Sequence, residues 1–226
     1  MDWRALFGIN PRSPVPAFWE TYLEANRQPL SKKLPLEEAC FVVFDTETTG
    51  LNPRSDRLLS IGAVKVVGNQ IRTDVPFERT IRQEHLPRHR EAIGVHGILP
   101  GQSLAGQDEA KALQEFLSYI GNAVLVGHHL RFDVSILNEA LKRCHAGKLR
   151  NPLIDTRALA LRVEKGRGNH DDQPGNYSLD ALCDRYRIPG SDRHTAAGDA
   201  YITAILLLKL LGRLRKRGIG KLGELI

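Results

Sequence analysis

The stretch that most limits what this chain can fold into is residues 39–45, Ala-Cys-Phe-Val-Val-Phe-Asp. It runs apolar without alternation and stops at an acid. A short continuous apolar run closed by polar residues reads as a β-strand covered on both faces. Such a strand needs layers above and below it, which points to a sheet flanked by helices.

The remaining pattern fits that frame. Residues 57–67 form a second β-rich run, Gly68-Asn69 makes a turn, and residues 70–72 start a returning strand. Residues 77–82 alternate and read as a third strand, and 123–127 as a short buried one. Helical periodicity covers 108–120, 133–144 and about 196–211. Residues 154–156 end a strand and lead into a helix through Leu161, and Ser178 can cap a helix running to about Arg187. Antiparallel strands followed by strands alternating with helices predict a mixed α/β sheet with helices on its faces.

A chain of 226 residues suits one domain with additions, and composition divides it further. Residues 1–38 hold five prolines around Phe18, Trp19, Tyr22 and Leu23 and read as an extension with one short helix that staples onto the core. Residues 39–211 form the domain, with a polar, Gly-rich loop at 164–176. Residues 212–226 read as a basic tail, with Arg213, Arg215, Lys216, Arg217 and Lys221 against Glu224 alone. Most of the formal charge of +6 therefore lies outside the domain. Cys40, Cys144 and Cys183 are odd in number and widely spaced, so they build no disulfide framework. No secretory leader or membrane-length apolar run is apparent, and the expected location is the cytoplasm.

Three constellations carry chemistry. Asp45 and Glu47, in Phe44-Asp45-Thr46-Glu47-Thr48-Thr49-Gly50, sit two apart at a strand end and face the same side. Crowded carboxylates repel unless cations neutralise them, and hard divalent ions such as Mg²⁺ or Mn²⁺ meet that need. Asp133 follows a buried strand in Gly127-His128-His129-Leu130-Arg131-Phe132-Asp133 and opens a helix, where capping alone could explain an acid. In His194-Thr195-Ala196-Ala197-Gly198-Asp199-Ala200, small residues let the last helix lie close to the sheet, and Asp199 stands in an otherwise apolar helix. A carboxylate there needs a partner. His194 can take a proton from water. Four carboxylates can hold two divalent ions about 4 Å apart, which clamp the attacking and leaving oxygens of a phosphodiester.

The three segments FDTETTG, GHHLRFD and HTAAGDA resemble, in order and context, the motifs of the DEDDh 3′–5′ exonucleases over about residues 39–211. This resemblance implies an RNase H-like fold, nucleic acid with a free 3′ end as partner, and nucleoside 5′-monophosphates as product. DNA is the favoured substrate and RNA the alternative. By the same resemblance Asp45, Glu47, Asp133 and Asp199 correspond to the metal-binding acids, with two Mg²⁺ or Mn²⁺ ions. His194 corresponds to the general base, and Thr48, Gly50 and Leu51 to the loop that holds the 3′-terminal nucleotide. His96 falls in a segment similar to one near the family's substrate groove. His129 replaces the usual Asn of the second motif. Asp155 is expected to cap a helix or to support the site from behind rather than to ligate a metal directly. The alternatives are a proofreading subunit bound to a DNA polymerase or another replication or repair protein, and a catalytically silent binding module.

Overall fold

The computed structural model describes residues 15–83, 104–165, 174–190 and 193–226. His96 lies outside the described residues, as do residues 1–14 of the extension and 166–173 of the polar loop. Phe41, Val42, Val43 and Phe44 are all buried, and they open strand β1 (Phe41–Thr48). β1 pairs antiparallel with β2 (Leu58–Val67), which pairs antiparallel with β3 (Gln70–Thr80). On its other side β1 runs parallel to β4 (Val124–Gly127), and β4 parallel to β5 (Leu153–Asp155). The order β3-β2-β1-β4-β5 puts β1 in the centre of a mixed sheet.

Helices cover both faces: α1 (Ala17–Ala25), α2 (Glu109–Ile120), α3 (Arg131–Arg143), α4 (Thr156–Glu164), α5 (Leu179–Tyr186) and α6 (Ala196–Arg215). Alternation along β1 sorts its side chains between two cores. Phe41 and Val43 pack with Ala160 and Val163 of α4, Leu182 of α5 and Leu206 and Leu210 of α6. Val42 and Phe44 pack with Leu113 and Phe116 of α2 and with Ile136 and Leu137 of α3. The expected α/β sheet flanked by helices is what forms.

Three details differ from the sequence reading. β3 is one strand of 11 residues, where two short ones are expected. Pro76 suggests a break, but β3 is an edge strand, where a missing amide costs no ladder bond. The pairing shift between Ala63 and Lys65 absorbs the irregularity. Helix α3 begins at Arg131, two residues early, because the Asp155 carboxylate accepts from the Leu130 amide at 3.0 Å and holds the helix entry from outside. Helix α6 runs one turn further, to Arg215, because Leu214 is still buried.

The flanking segments bind back onto the domain. Trp19 and Tyr22 of α1 are buried, and the Tyr22 hydroxyl donates to Asn151 Oδ1 at 2.5 Å. The Leu222 amide donates to the Leu34 carbonyl at 2.9 Å, and Leu222 is fully buried. Arg213 stacks 4.1 Å from the Tyr186 ring centre, and Arg217 donates to the Val163 carbonyl at the end of α4. Residues 212–226 thus do not hang free, and two of their guanidinium groups are engaged within the protein. No helix among the described residues is long and apolar enough to cross a membrane.

Candidate active site

The site lies at the carboxyl end of β1, where open α/β sheets characteristically bind ligands. Asp45 and Glu47 continue the face of Phe41 and Val43, against which α6 packs. Gly62 of β2 is the register partner of Asp45, and a Cβ built there would stand 2.2 Å from backbone atoms of Ala196 and Ala197. Only a glycine admits this contact between strand and helix backbone. The Thr195 hydroxyl caps α6 by accepting from the Gly198 amide at 3.0 Å, and Asp199 follows in the first turn. The outcome is convergence: Asp45, Glu47 and Asp199 each offer an oxygen within 4.8 Å of the others.

Asp133 reaches the site from the opposite face, on α3. It is 5% exposed, and its Oδ1 accepts from the Thr46 hydroxyl at 2.6 Å and the Thr46 amide at 3.2 Å. Thr46 sits between Asp45 and Glu47 and therefore points to the α3 side. The structure brings three of the four expected acids into one group and orients the fourth beside them.

Burial raises the Asp45 carboxyl well above its ordinary range, and Asp133, Asp199 and Glu47 push it higher. Burial also pushes Glu47 up to about 7, with Asp199 and Asp133 adding to the effect. Asp133 is pushed up to about 7 by burial, against the pull of its Thr46 hydrogen bonds. Arg193 opposes the negative charge at Asp45 and Glu47. It forms ion pairs with Asp199 and, at 2.8 Å, with Asp180 of α5. An all-carboxylate oxygen set with surplus negative charge fits a hard divalent cation.

The other expected residues surround this group. His194 precedes the α6 cap, is exposed, and has φ of 64°. That left-handed backbone costs a non-glycine residue about 1–3 kcal/mol. The Thr48 hydroxyl donates to the Gly50 carbonyl at 2.8 Å, and Leu51 stands 87% exposed at the loop tip. Asp56 ties this loop together, accepting from the Thr49 hydroxyl at 2.9 Å and the Asn52 amide at 2.8 Å. A Cβ on Gly50 would collide with that carboxylate at 2.7 Å. His129 also has positive φ, 57°, and lines a cavity of about 690 Å³ beside β5 whose walls include none of the four acids.

His128 lies deeper than its neighbour. Its ring nitrogens are 2.9 Å from the Thr156 hydroxyl and 3.0 Å from the Tyr177 carbonyl. Burial, then His129, lower its pKa to about 4, so the ring is neutral, and the Tyr177 carbonyl requires the proton on Nε2. Asp155 caps α4 by accepting from the Arg157 amide at 2.8 Å while its other oxygen holds Leu130. One oxygen thus caps α4 and the other braces the entry of α3. Sequence reasoning passed over Thr46, Asp56, Gly62 and Arg193. Thr46 had a usable signal, since alternation alone sends it to the face opposite the acids.

A family model described as exonuclease, of the RNase T type, matches residues 42–207. The chain belongs to this exonuclease family. Among relatives of this exonuclease chain, a DNA polymerase III PolC-type protein of Thermotoga petrophila is 32% identical over 218 residues. That match covers 96% of this chain and 15% of the relative. A DNA polymerase III subunit epsilon-like protein of Rhodobacter capsulatus is 35% identical over 196 residues, covering 85% of this chain and 26% of the relative. The chain thus spans only a small part of the curated relatives it matches. E. coli exonuclease I, solved with a dT13 oligonucleotide, superposes with a TM-score of 0.67 at 20% identity, over 80% of this chain and 43% of that one. Exonuclease X, solved with 5′ overhanging duplex DNA, gives 0.58 at 24% identity, over 76% of this chain and 91% of that one. These likenesses establish the RNase H-like exonuclease fold.

Proposed function

We propose that this exonuclease domain removes nucleotides from the 3′ end of nucleic acid, DNA in preference to RNA, and releases nucleoside 5′-monophosphates. The convergence of Asp45, Glu47 and Asp199, with Asp133 held beside them, carries the reading. The first three acids, together with Asp133, would hold two divalent ions, Mg²⁺ or Mn²⁺. Bound ions supply positive charge that neutralises the acids, polarises the phosphodiester and lowers the pKa of water. The chain's own part is then positional. Thr46 fixes the Asp133 carboxylate, and Gly62 lets α6 deliver Asp199. A ring nitrogen of His194 accepts the proton of the attacking water. As the water oxygen bonds to phosphorus, the bond to the 3′ oxygen breaks and its electron pair leaves with that oxygen. Leu51, exposed on a loop braced by Asp56, would meet the terminal nucleotide in this scheme.

Asp45→Asn keeps the shape and removes the charge. Turnover of 3′-labelled single-stranded DNA should fall about a thousandfold or more, since the acids act as one unit. Wild-type turnover in this variant would sink the proposal. Mispaired duplex, RNA and short oligoribonucleotides complete the substrate panel.

A second reading, a proofreading domain working with a DNA polymerase in the cytoplasm, is favoured by one observation. The resemblance to the PolC-type protein covers 96% of the chain, more than residues 42–207 alone. Isolation in complex with a polymerase catalytic subunit would support it; an exclusively unbound protein in cell extracts would count against it.

A further inference from the structure

Arg193 stands out because it bridges two roles that the exonuclease reading leaves separate. Its side chain is 16% exposed, and its Nη1 pairs with Asp199 Oδ1 while its Nε donates to Asp180 Oδ1 at 2.8 Å. Asp199 belongs to the converging acids; Asp180 is 67% exposed on α5. Arg193 is also the cation that offsets the charge of Asp45 and Glu47. In sequence it directly precedes His194, whose backbone is held at φ 64°.

A guanidinium and a divalent ion on one carboxylate repel each other, and in a partly buried site that repulsion is weakly screened. Binding of either therefore weakens binding of the other, by the same factor in both directions. Asp180 offers Arg193 a carboxylate outside the cluster, so the guanidinium can give up Asp199 without losing its charge partner.

We propose, resting on the metal-dependent reading above, that Arg193 is the resident counter-cation of the acid cluster. It competes with a divalent ion for Asp199, and Asp180 retains it when the ion binds. Because Arg193 is joined to His194, the exchange ties occupation of Asp199 to the placement of the histidine. Arg193 is a positioning residue in this scheme, acting on the site through Asp199 and the adjoining backbone.

Calorimetric titration of chelator-stripped protein with Mn²⁺ alone tests this. Arg193→Gln should bind Mn²⁺ about tenfold more tightly than wild type. Asp180→Asn, at an exposed position, should bind about threefold more weakly, because Arg193 is then left to Asp199. In the Arg193→Gln background, Asp180→Asn should have no effect, since Asp180 acts only through Arg193. Simple long-range charge effects would instead be additive in this cycle. Unchanged or weakened Mn²⁺ binding in Arg193→Gln overturns the proposal, as does an additive cycle. Should Arg193→Gln lose its circular dichroism signature, Asp180→Asn still decides: wild-type affinity there refutes the exchange. Digestion of 3′ ends by wild type separates the two levels. A wild type that binds Mn²⁺ and digests, alongside an indifferent Arg193→Gln, defeats this proposal alone. A wild type with no saturable Mn²⁺ binding defeats the metal-dependent reading and this proposal with it.

Discussion

The two faces of β1 hold their acids by opposite means. On the α6 face, Asp45, Glu47 and Asp199 crowd together with Arg193 as their counter-charge. On the α3 face, Asp133 stands apart and is held by a hydroxyl and an amide of one residue, Thr46. The first arrangement is electrostatically frustrated and gains most from a cation. The second is oriented by its hydrogen bonds, although burial raises its carboxyl as well, and it would supply a metal ligand already aimed. Mobility of charge and fixity of orientation are thus divided between the two sides of a single strand.

The severest way to break the α6 side is at Gly62. A methyl at this position meets the Ala196 and Ala197 backbone, which cannot swing aside as a side chain could. Gly62→Ala should cost about 3 kcal/mol in urea denaturation by overpacking. It should also draw Asp199 away from Asp45 and Glu47, abolishing both Mn²⁺ binding and nuclease activity. Gly68→Ala is the matching control: its Cβ meets nothing within 4 Å, and its φ of 56° costs only about 1 kcal/mol. Retained activity in Gly62→Ala would mean that helix and strand can part without separating the acids.

Proton linkage tests what the two faces share, since each holds a carboxyl raised by burial. Glu47 and Asp133 titrate near 7 in the folded protein, above their ordinary carboxyl values of 4.5 and 3.8. Between those limits these carboxyls hold more protons in the folded state than in the unfolded state, so they lower stability as pH rises; His128, pushed down to about 4 by burial, opposes them with one proton, fewer than Glu47, Asp133 and Asp45 hold together. The melting temperature of chelator-treated protein should therefore decline from about pH 4 through pH 7, and Asp45, raised well above its ordinary value, extends the decline further. Saturating Mn²⁺ should raise it most at the upper end, where the carboxylates are charged. A melting temperature that climbs across this range without metal would contradict the raised carboxyls on both faces of β1.

Much of the site was legible in the order of the residues, and the reasons differ from part to part. Asp45 and Glu47 announce themselves because an apolar strand runs straight into them. Asp199 does so because an acid interrupts an apolar helix, and small residues around it foretell close packing. The 3 + 1 division of acids was hidden, since it depends on which helix covers which face of β1. That is a matter of chain crossings, not of local pattern. Gly62 read as an ordinary strand residue because its constraint comes from a helix more than 130 positions later. Arg193 was hidden for a similar reason: its long side chain reaches Asp180 and Asp199, on two helices. The continuity of β3 does not follow from local pattern, since Pro76 would be disqualifying in a central strand yet is tolerated at an edge.

The α3 side should break more gently, and Thr46 is the place to try it. Thr46→Val keeps the strand shape and the amide that donates to Asp133 but removes the hydroxyl 2.6 Å from Oδ1. Losing one hydrogen bond to a buried carboxyl costs about 1–3 kcal/mol, and part of that is recovered if Asp133 protonates more readily. The three converging acids lie on the other face and keep their geometry, so Mn²⁺ should still bind there. What suffers is the aim of Asp133, and kcat on 3′-labelled DNA should fall about tenfold with KM little changed. Thr46→Ser restores the hydroxyl and should restore kcat. Leu51→Ala provides the opposite signature: an 87% exposed side chain contributes little to stability, so a loss there should appear in KM while metal affinity stays constant. If Thr46→Val instead abolished Mn²⁺ binding altogether, the two faces would be one cooperative site, and the division of labour across β1 would have to be abandoned.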